Sequence, residues 1–229
     1  MKRWPWSLLL LAGCSDISGT GGVVAIEIRL PTPPAVEQHD TLQLVARALD
    51  ANGRVVQDAV IRWATPDSSI SLDSVTGRVT TDTTAGNARV QARVGSLLSD
   101  LASLELHPRS DTLLVPGPTT LTVLASDTAS DTLRAVVQSL SPDTVGVSNT
   151  RILYEVVDTA AAKGKVRFRG DVLALRAATG ADGRPLNAVV LAKVPGASPP
   201  ASVSVRVTAT RPSGFAVPGS GQIFTVNFQ

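Results

Sequence analysis

Val203, Val205, Val207 and Ala209 fall at every second position, with Ser204, Arg206 and Thr208 between them. A two-residue period buries one face of a strand and cannot be met by a helix, whose apolar face recurs every three to four residues. The same period returns along the chain. Val24, Ile26, Ile28 and Leu30 share one face of a first strand, and Leu42, Leu44, Ala46 and Ala48 share one face of a second. Val90, Ala92 and Val94 form another set, as do Ile152, Tyr154 and Val156. Such runs are short and separated by Gly, Pro, Asn and Asp, which makes antiparallel β-sandwiches the expected fold class.

Between Val23 and Leu106 the punctuation is regular. Pro31, Pro33 and Pro34 stop the first strand, because proline cannot donate to a ladder. Asp50-Ala51-Asn52-Gly53 is a turn, with Asn52 and Gly53 suited to positive φ. Ile61 and Trp63 share a face, which predicts a core role for Trp63. Thr76-Gly77 and Gly95-Ser96 turn the chain again, and 97–106 is expected as a closing strand. His107-Pro108-Arg109-Ser110 reads as a polar linker, placing a boundary between units 23–107 and 108–229.

The second unit is less regular. Strands are expected with Leu121, Val123 and Ala125 on one face, over 133–140, over 172–178 and 186–194 around Gly180-Ala181-Asp182-Gly183, and over 223–228. Tyr154 is expected to play the core part that Trp63 plays earlier. Segments 158–165, 195–200 and 212–221 read as exposed loops.

Ahead of these units, Lys2 and Arg3 precede an apolar run from Trp4 to Leu11, then Ala12, Gly13 and Cys14. Basic, apolar and small residues in that order form an export signal, and the run is far shorter than the ~20 residues of a spanning helix. Leu11-Ala12-Gly13-Cys14 resembles the lipobox of bacterial lipoproteins. The resemblance implies cleavage after residue 13 and a diacylglycerol on the Cys14 sulfur, and the Ser- and Gly-rich residues that follow make 14–22 read as a flexible leader. It also implies a lipid-anchored place in the cell envelope, at the outer membrane or cell surface, with the inner membrane as the alternative. Several acyl chains give stable anchoring where one does not.

Removing residues 1–13 takes away Lys2 and Arg3, leaving 19 basic residues against 19 acidic ones. A neutral chain lacks the clustered basic surface of a nucleic-acid binder. With the sole cysteine used for lipid, neither a disulfide nor a thiolate metal site is expected.

Segment 23–106 resembles the group-2 bacterial Ig-like domains. The resemblance is carried by Ile26 and Ile28, Leu42-Gln43-Leu44-Val45-Ala46, the Asp50 to Gly53 turn, Ile61-Arg62-Trp63, Asp73 to Val79, Gly86 and Val90-Gln91-Ala92. It departs at 31–39. The second unit resembles the invasin-like Ig domains through 177–188 and 202–209, and departs over 158–169 and 212–221. Together these imply two Ig-like sandwiches in tandem, with Trp63 packed between sheets and no catalytic residue.

The residues that could carry chemistry point the same way. A serine hydrolase needs a base beside its nucleophile. The two histidines, His39 and His107, sit in a proline-bounded loop and in the proposed linker, where both are expected to be solvated. No Gly-x-Ser-x-Gly elbow occurs. Asp50-x-Asn52-Gly53 and Asp182-Gly183 lack the spacing and terminal Glu of a calcium loop and read as plain turns. Arg169-Gly170-Asp171 spells the integrin-ligand tripeptide, but three residues match little, and it reads as a turn. The expectation is therefore a non-enzymatic lipoprotein, without cofactor or metal, serving as an adhesion, spacer or protein-interaction module with a protein or glycan partner. A carbohydrate-binding module is the alternative. It would need exposed aromatic platforms, with Tyr154 and Phe215 as candidates.

Overall fold

The structure, a computed structural model, describes residues 22–141 and 143–229. The export signal, Cys14 and the leader up to residue 21 lie outside the described residues. Among the described residues, no helix is long and apolar enough to cross a membrane.

The first unit comprises β1 (Ala25–Arg29), β2 (Ala35–Glu37), β3 (Thr41–Gln43), β4 (Val45–Leu49), β5 (Arg62–Ala64), β6 (Ser71–Leu72), β7 (Arg78–Thr80), β8 (Gly86–Val94), β9 (Leu97–Leu98) and β10 (Ala102–His107). In one layer β1 pairs with β4, and β3 pairs with β7, which pairs with β6. β3 and β4 are one run of chain passing through Leu44, whose N–H donates to the Gly77 carbonyl. The facing layer has the order β2-β10-β8-β5, with β9 against β8. All contacts are antiparallel except β2 with β10, which is parallel.

The alternation read from sequence is the alternation that packs. Leu42, Leu44 and Ala48 are buried, and so are Ala88, Val90, Ala92 and Val94 of β8. Trp63 sits between the layers with Val79, Val90 and Leu104. Its indole lies on Gly77, where an added Cβ would stand 2.4 Å from Trp63 Nε1. Gly77 also has φ +72°, closing a turn in which Asp73 Oδ1 accepts from the Val75 and Thr76 N–H groups. The 50–53 turn is built the same way, with Asp50 Oδ1 accepting from Asn52 and Arg54.

One strand of this unit was not foreseen, and two expectations change. The proline-rich crossing at 31–34 leads into β2, whose Ala35, Val36 and Glu37 are all buried. A strand covered on both faces shows no alternation to read. At the first strand Val23 is buried and Val24 exposed, so the apolar face there begins at Ile26. The closing segment is two strands, β9 and β10.

The second unit comprises β11 (Thr112–Leu114), β12 (Thr120–Val123), β13 (Val136–Ser139), β14 (Val145–Gly146), β15 (Arg151–Val156), α1 (Thr159–Ala162), β16 (Val166–Arg167), β17 (Ala174–Ala178), β18 (Ala192–Lys193), β19 (Ser202–Thr210) and β20 (Gln222–Phe228). Its main sheet has the order β12-β20-β19-β15-β17. Here too one contact is parallel, β12 with β20. Opposite lie β11-β13-β14 and the pair β16-β18. The core holds Tyr154, Phe168, Phe224, Leu133, Leu191 and the inward valines of β19. No strand of the first unit pairs with one of the second. The described chain is thus all-β, with two Ig-like antiparallel sandwiches in tandem, each with its own core.

Corrections in this unit have local causes. β12 ends at Val123, so Ala125 is exposed. The stretch from Leu133 pairs as β13 only from Val136, although Leu133 N–H already bonds the Val189 carbonyl. Of 186–194, only Ala192–Lys193 is a regular strand. Segment 158–165 is not simply an exposed loop. Asp158 Oδ1 caps a single helical turn through the Ala161 N–H, and Ala162 is buried.

Candidate functional site

The segment from His107 to Ser110, expected as a polar linker, carries a cluster of buried polar contacts at both of its ends. His107 is the last residue of β10 and is buried, and Ser110 is fully buried. The carboxylate of Glu37, 2% exposed, accepts from the Ser110 N–H at 3.1 Å and from the Ser110 hydroxyl. Ser110 Oγ also lies 3.1 Å from Thr150 Oγ1 in the second unit. Arg211, at the end of β19, donates from Nε and Nη2 to the Ser110 carbonyl at 3.0 and 2.7 Å, and its Nε stands 3.5 Å from Glu37 Oε2. Beside them Ser213 Oγ donates to Asp40 Oδ2 at 2.6 Å.

A second set of contacts flanks the first. Asn149 Nδ2 donates to Glu105 Oε2 at 2.8 Å, and Ser148 Oγ lies 3.3 Å from His107 Nδ1. His107 Nε2 is 3.4 Å from Glu105 Oε2, an ion-pair distance without the alignment of a hydrogen bond, so that nitrogen has no hydrogen-bond partner.

One acid and one base in the junction are shifted. Burial raises the Glu37 pKa, opposed by the Ser110 hydrogen bonds and the Arg211 charge, which lower it. Burial lowers the His107 pKa, opposed by Glu105. Both shifts favour the neutral form. The cluster is closed to solvent, so Ser110 is not placed to meet a substrate. Its chemistry is that of a clasp between the two sandwiches.

The residues singled out from sequence are scattered. His39 is exposed beside Asp82, as expected, with Nδ1 3.1 Å from Asp82 Oδ1. His107 is not solvated, because the second sandwich covers it. Tyr154 is fully buried, and its hydroxyl donates to the Leu133 carbonyl at 3.2 Å. That fits the core role and removes it as a glycan platform. Phe215 is 69% exposed. Segment 195–200 lies at the surface. Segment 212–221 is only partly available: Ser213 is in the clasp, Val217 is buried, and Gly219 lies against Leu113. Arg169-Gly170-Asp171 forms the tip of a tight hairpin closed by Phe168 N–H to the Val172 carbonyl, and Asp171 pairs back with Arg167. Among the described residues no group of three or more His, Cys, Asp or Glu is arranged to hold a metal ion.

Glu37, Ser110, Thr150 and Arg211 were not legible as a set. They come from four distant stretches and carry no shared spacing.

No family model matches the chain, and no curated protein matches it. Among solved structures it is similar to the Yersinia pseudotuberculosis adhesin InvE, at 17% identity over 91% of this chain and 60% of that one, with a TM-score of 0.35. It is similar to Drosophila N-cadherin EC1-4 at 14% identity, over 90% of this chain and 50% of that one, with a TM-score of 0.31. Clostridium thermocellum CbhA fibronectin(III)-like modules match at 12% identity, over 88% and 93%, with a TM-score of 0.34. This chain therefore spans only part of the first two proteins. Scores this low assign nothing by themselves, and the sandwich description rests on the strand pairings above.

Proposed function

We propose that the protein is a lipid-anchored, non-enzymatic interaction module of the bacterial cell envelope, held by Cys14 at the outer membrane or cell surface. The observation that carries the interaction role is the clasp. A buried acid, a guanidinium and two hydroxyls join the sandwiches across their junction, so the pair can present its surfaces to a partner as one unit. The buried polar residues are spent on holding the two units together. The lipobox at 11–14 supports the anchor.

In cells carrying the full chain, a clickable fatty acid should label the protein, and the protein should sediment with membranes. Cys14→Ser should lose both. A variant that still sediments unlabelled would remove the anchor from this reading. A pull-down from envelope extract with the tether intact tests the interaction role, and ester or peptide hydrolysis by the purified chain would overturn the non-enzymatic part. The glycan reading retains Phe215 as its one candidate platform.

A further inference from the structure

The main sheet of the second sandwich ends at β17, and this edge has an opening of definite size. Val156 N–H bonds the Leu173 carbonyl, and the register pairs Tyr154 with Leu175 and Ile152 with Ala177. Antiparallel ladders alternate, so Leu175 and Ala177 turn their backbone groups toward β15 while Ala174 and Arg176 turn theirs outward. The outward parity is visible at both ends of the strand. Val172 accepts from Phe168 N–H on that side, and Ala178 accepts from Leu186 N–H. Between these two contacts, among the described residues, the backbone groups of Ala174 and Arg176 have no partner.

Beyond Leu186 the returning chain peels away, because Val189 bonds to Leu133 in the opposite layer. The separation leaves a groove of about 170 Å³ beside the open edge, lined by Leu175, Ala177, Leu186, Val189, Arg169 and Arg176. Leu186 is 67% exposed. Arg169 and Arg176 have no acidic partner within ion-pair distance among the described residues.

We propose that the β17 edge is a docking slot for a short, extended, acidic peptide segment of a partner protein, which adds as a strand beside Ala174–Ala178. The opening is about 13 Å long at ~3.3 Å per residue, enough for four or five residues. Backbone bonds to Ala174 and Arg176 supply the attachment, and alternate side chains supply the selectivity. Apolar side chains of the segment enter the groove beside Leu186 and Val189, while acidic ones meet Arg176 and Arg169. A second copy of this edge is a poor occupant. Antiparallel pairing centred on Arg176 would set that residue against itself, a like-charge pair. This inference rests on the interaction role proposed above and names the partner chemistry.

The probe is a capped pentapeptide alternating Val and Asp, titrated into the isotope-labelled chain from residue 15 onward and followed by amide NMR. Saturable shifts at the Ala174 and Arg176 amides are expected with weak affinity, in the range of about 0.1–10 mM. Arg176→Glu should weaken binding about tenfold or more and favour a Val–Lys peptide instead. Ala174→Pro removes an outward N–H without taking a bond from β15. It should abolish the shifts while the rest of the sheet's spectrum is retained. Shifts that saturate elsewhere, unchanged affinity in Arg176→Glu, or no saturation in that range would overturn the slot. So would edge pairing between copies of the chain without peptide. An envelope partner still captured by Ala174→Pro would leave the interaction role standing and reject only this site.

Discussion

At the scale of single residues, Trp63 and Gly77 form a unit. Truncating a buried Trp costs about 3–5 kcal/mol, which is the expectation for Trp63→Ala in denaturant unfolding. Gly77→Ala should cost roughly 1–3 kcal/mol, since it adds a methyl against the indole at a positive φ. In a Trp63→Ala background the same glycine change should cost less, because the clash partner is gone. Additive losses would mean that only the φ matters. The titration of Glu37 has a definite sign. Its folded pKa lies above the ordinary 4.5, so its contribution to stability is full below that value and is lost as pH rises through the folded value. Wild type should therefore lose ground to Glu37→Gln as pH rises, in urea melts between about pH 4 and 8. His107 runs the other way. Its folded pKa lies below 6.5, so its contribution is present above 6.5 and is lost as pH falls, and His107→Gln should flatten the acid side.

At the scale of elements, what could be read from sequence depended on how many faces of a strand are covered. β8, β15 and β19 bury one face, and their alternating apolar residues announce it. β2 buries both faces behind prolines, and its Ala-Val-Glu shows no period. The 133–140 and 186–194 runs are apolar enough to look like long strands, yet tertiary pairing keeps only four and two residues regular. The Gly180 to Gly183 turn was legible as a turn, but not its packing. A Cβ on Gly183 would stand 2.1 Å from the Val137 carbonyl oxygen, at φ +74°. Gly183→Ala should therefore lower stability by about 1–3 kcal/mol and disturb the β13–β14 amides, where a simple surface turn would tolerate it.

At the scale of the whole molecule, two sandwiches were legible, but the joint between them was read as a polar linker. His107, Pro108, Arg109 and Ser110 look like a linker because polarity and proline mark linkers, and nothing local tells that a distant Arg211 will cover them. Removing one partner of a buried ion pair costs about 3–5 kcal/mol, because the other charge is left behind. Arg211→Ala should therefore split a single cooperative thermal transition into two. Adding Glu37→Gln to that variant should recover part of the loss, since no acid then remains without its countercharge. One unchanged transition in Arg211→Ala would show that the clasp does not couple the units.

The clasp also limits how such a gene can be recombined. Glu37 belongs to one sandwich, Thr150 and Arg211 to the other, and Ser110 to the segment joining them. A splice at residue 108 that grafts either half onto an unrelated neighbour would strand a buried carboxylate or a buried guanidinium. These sandwiches are therefore not interchangeable beads, and they should be inherited as a pair.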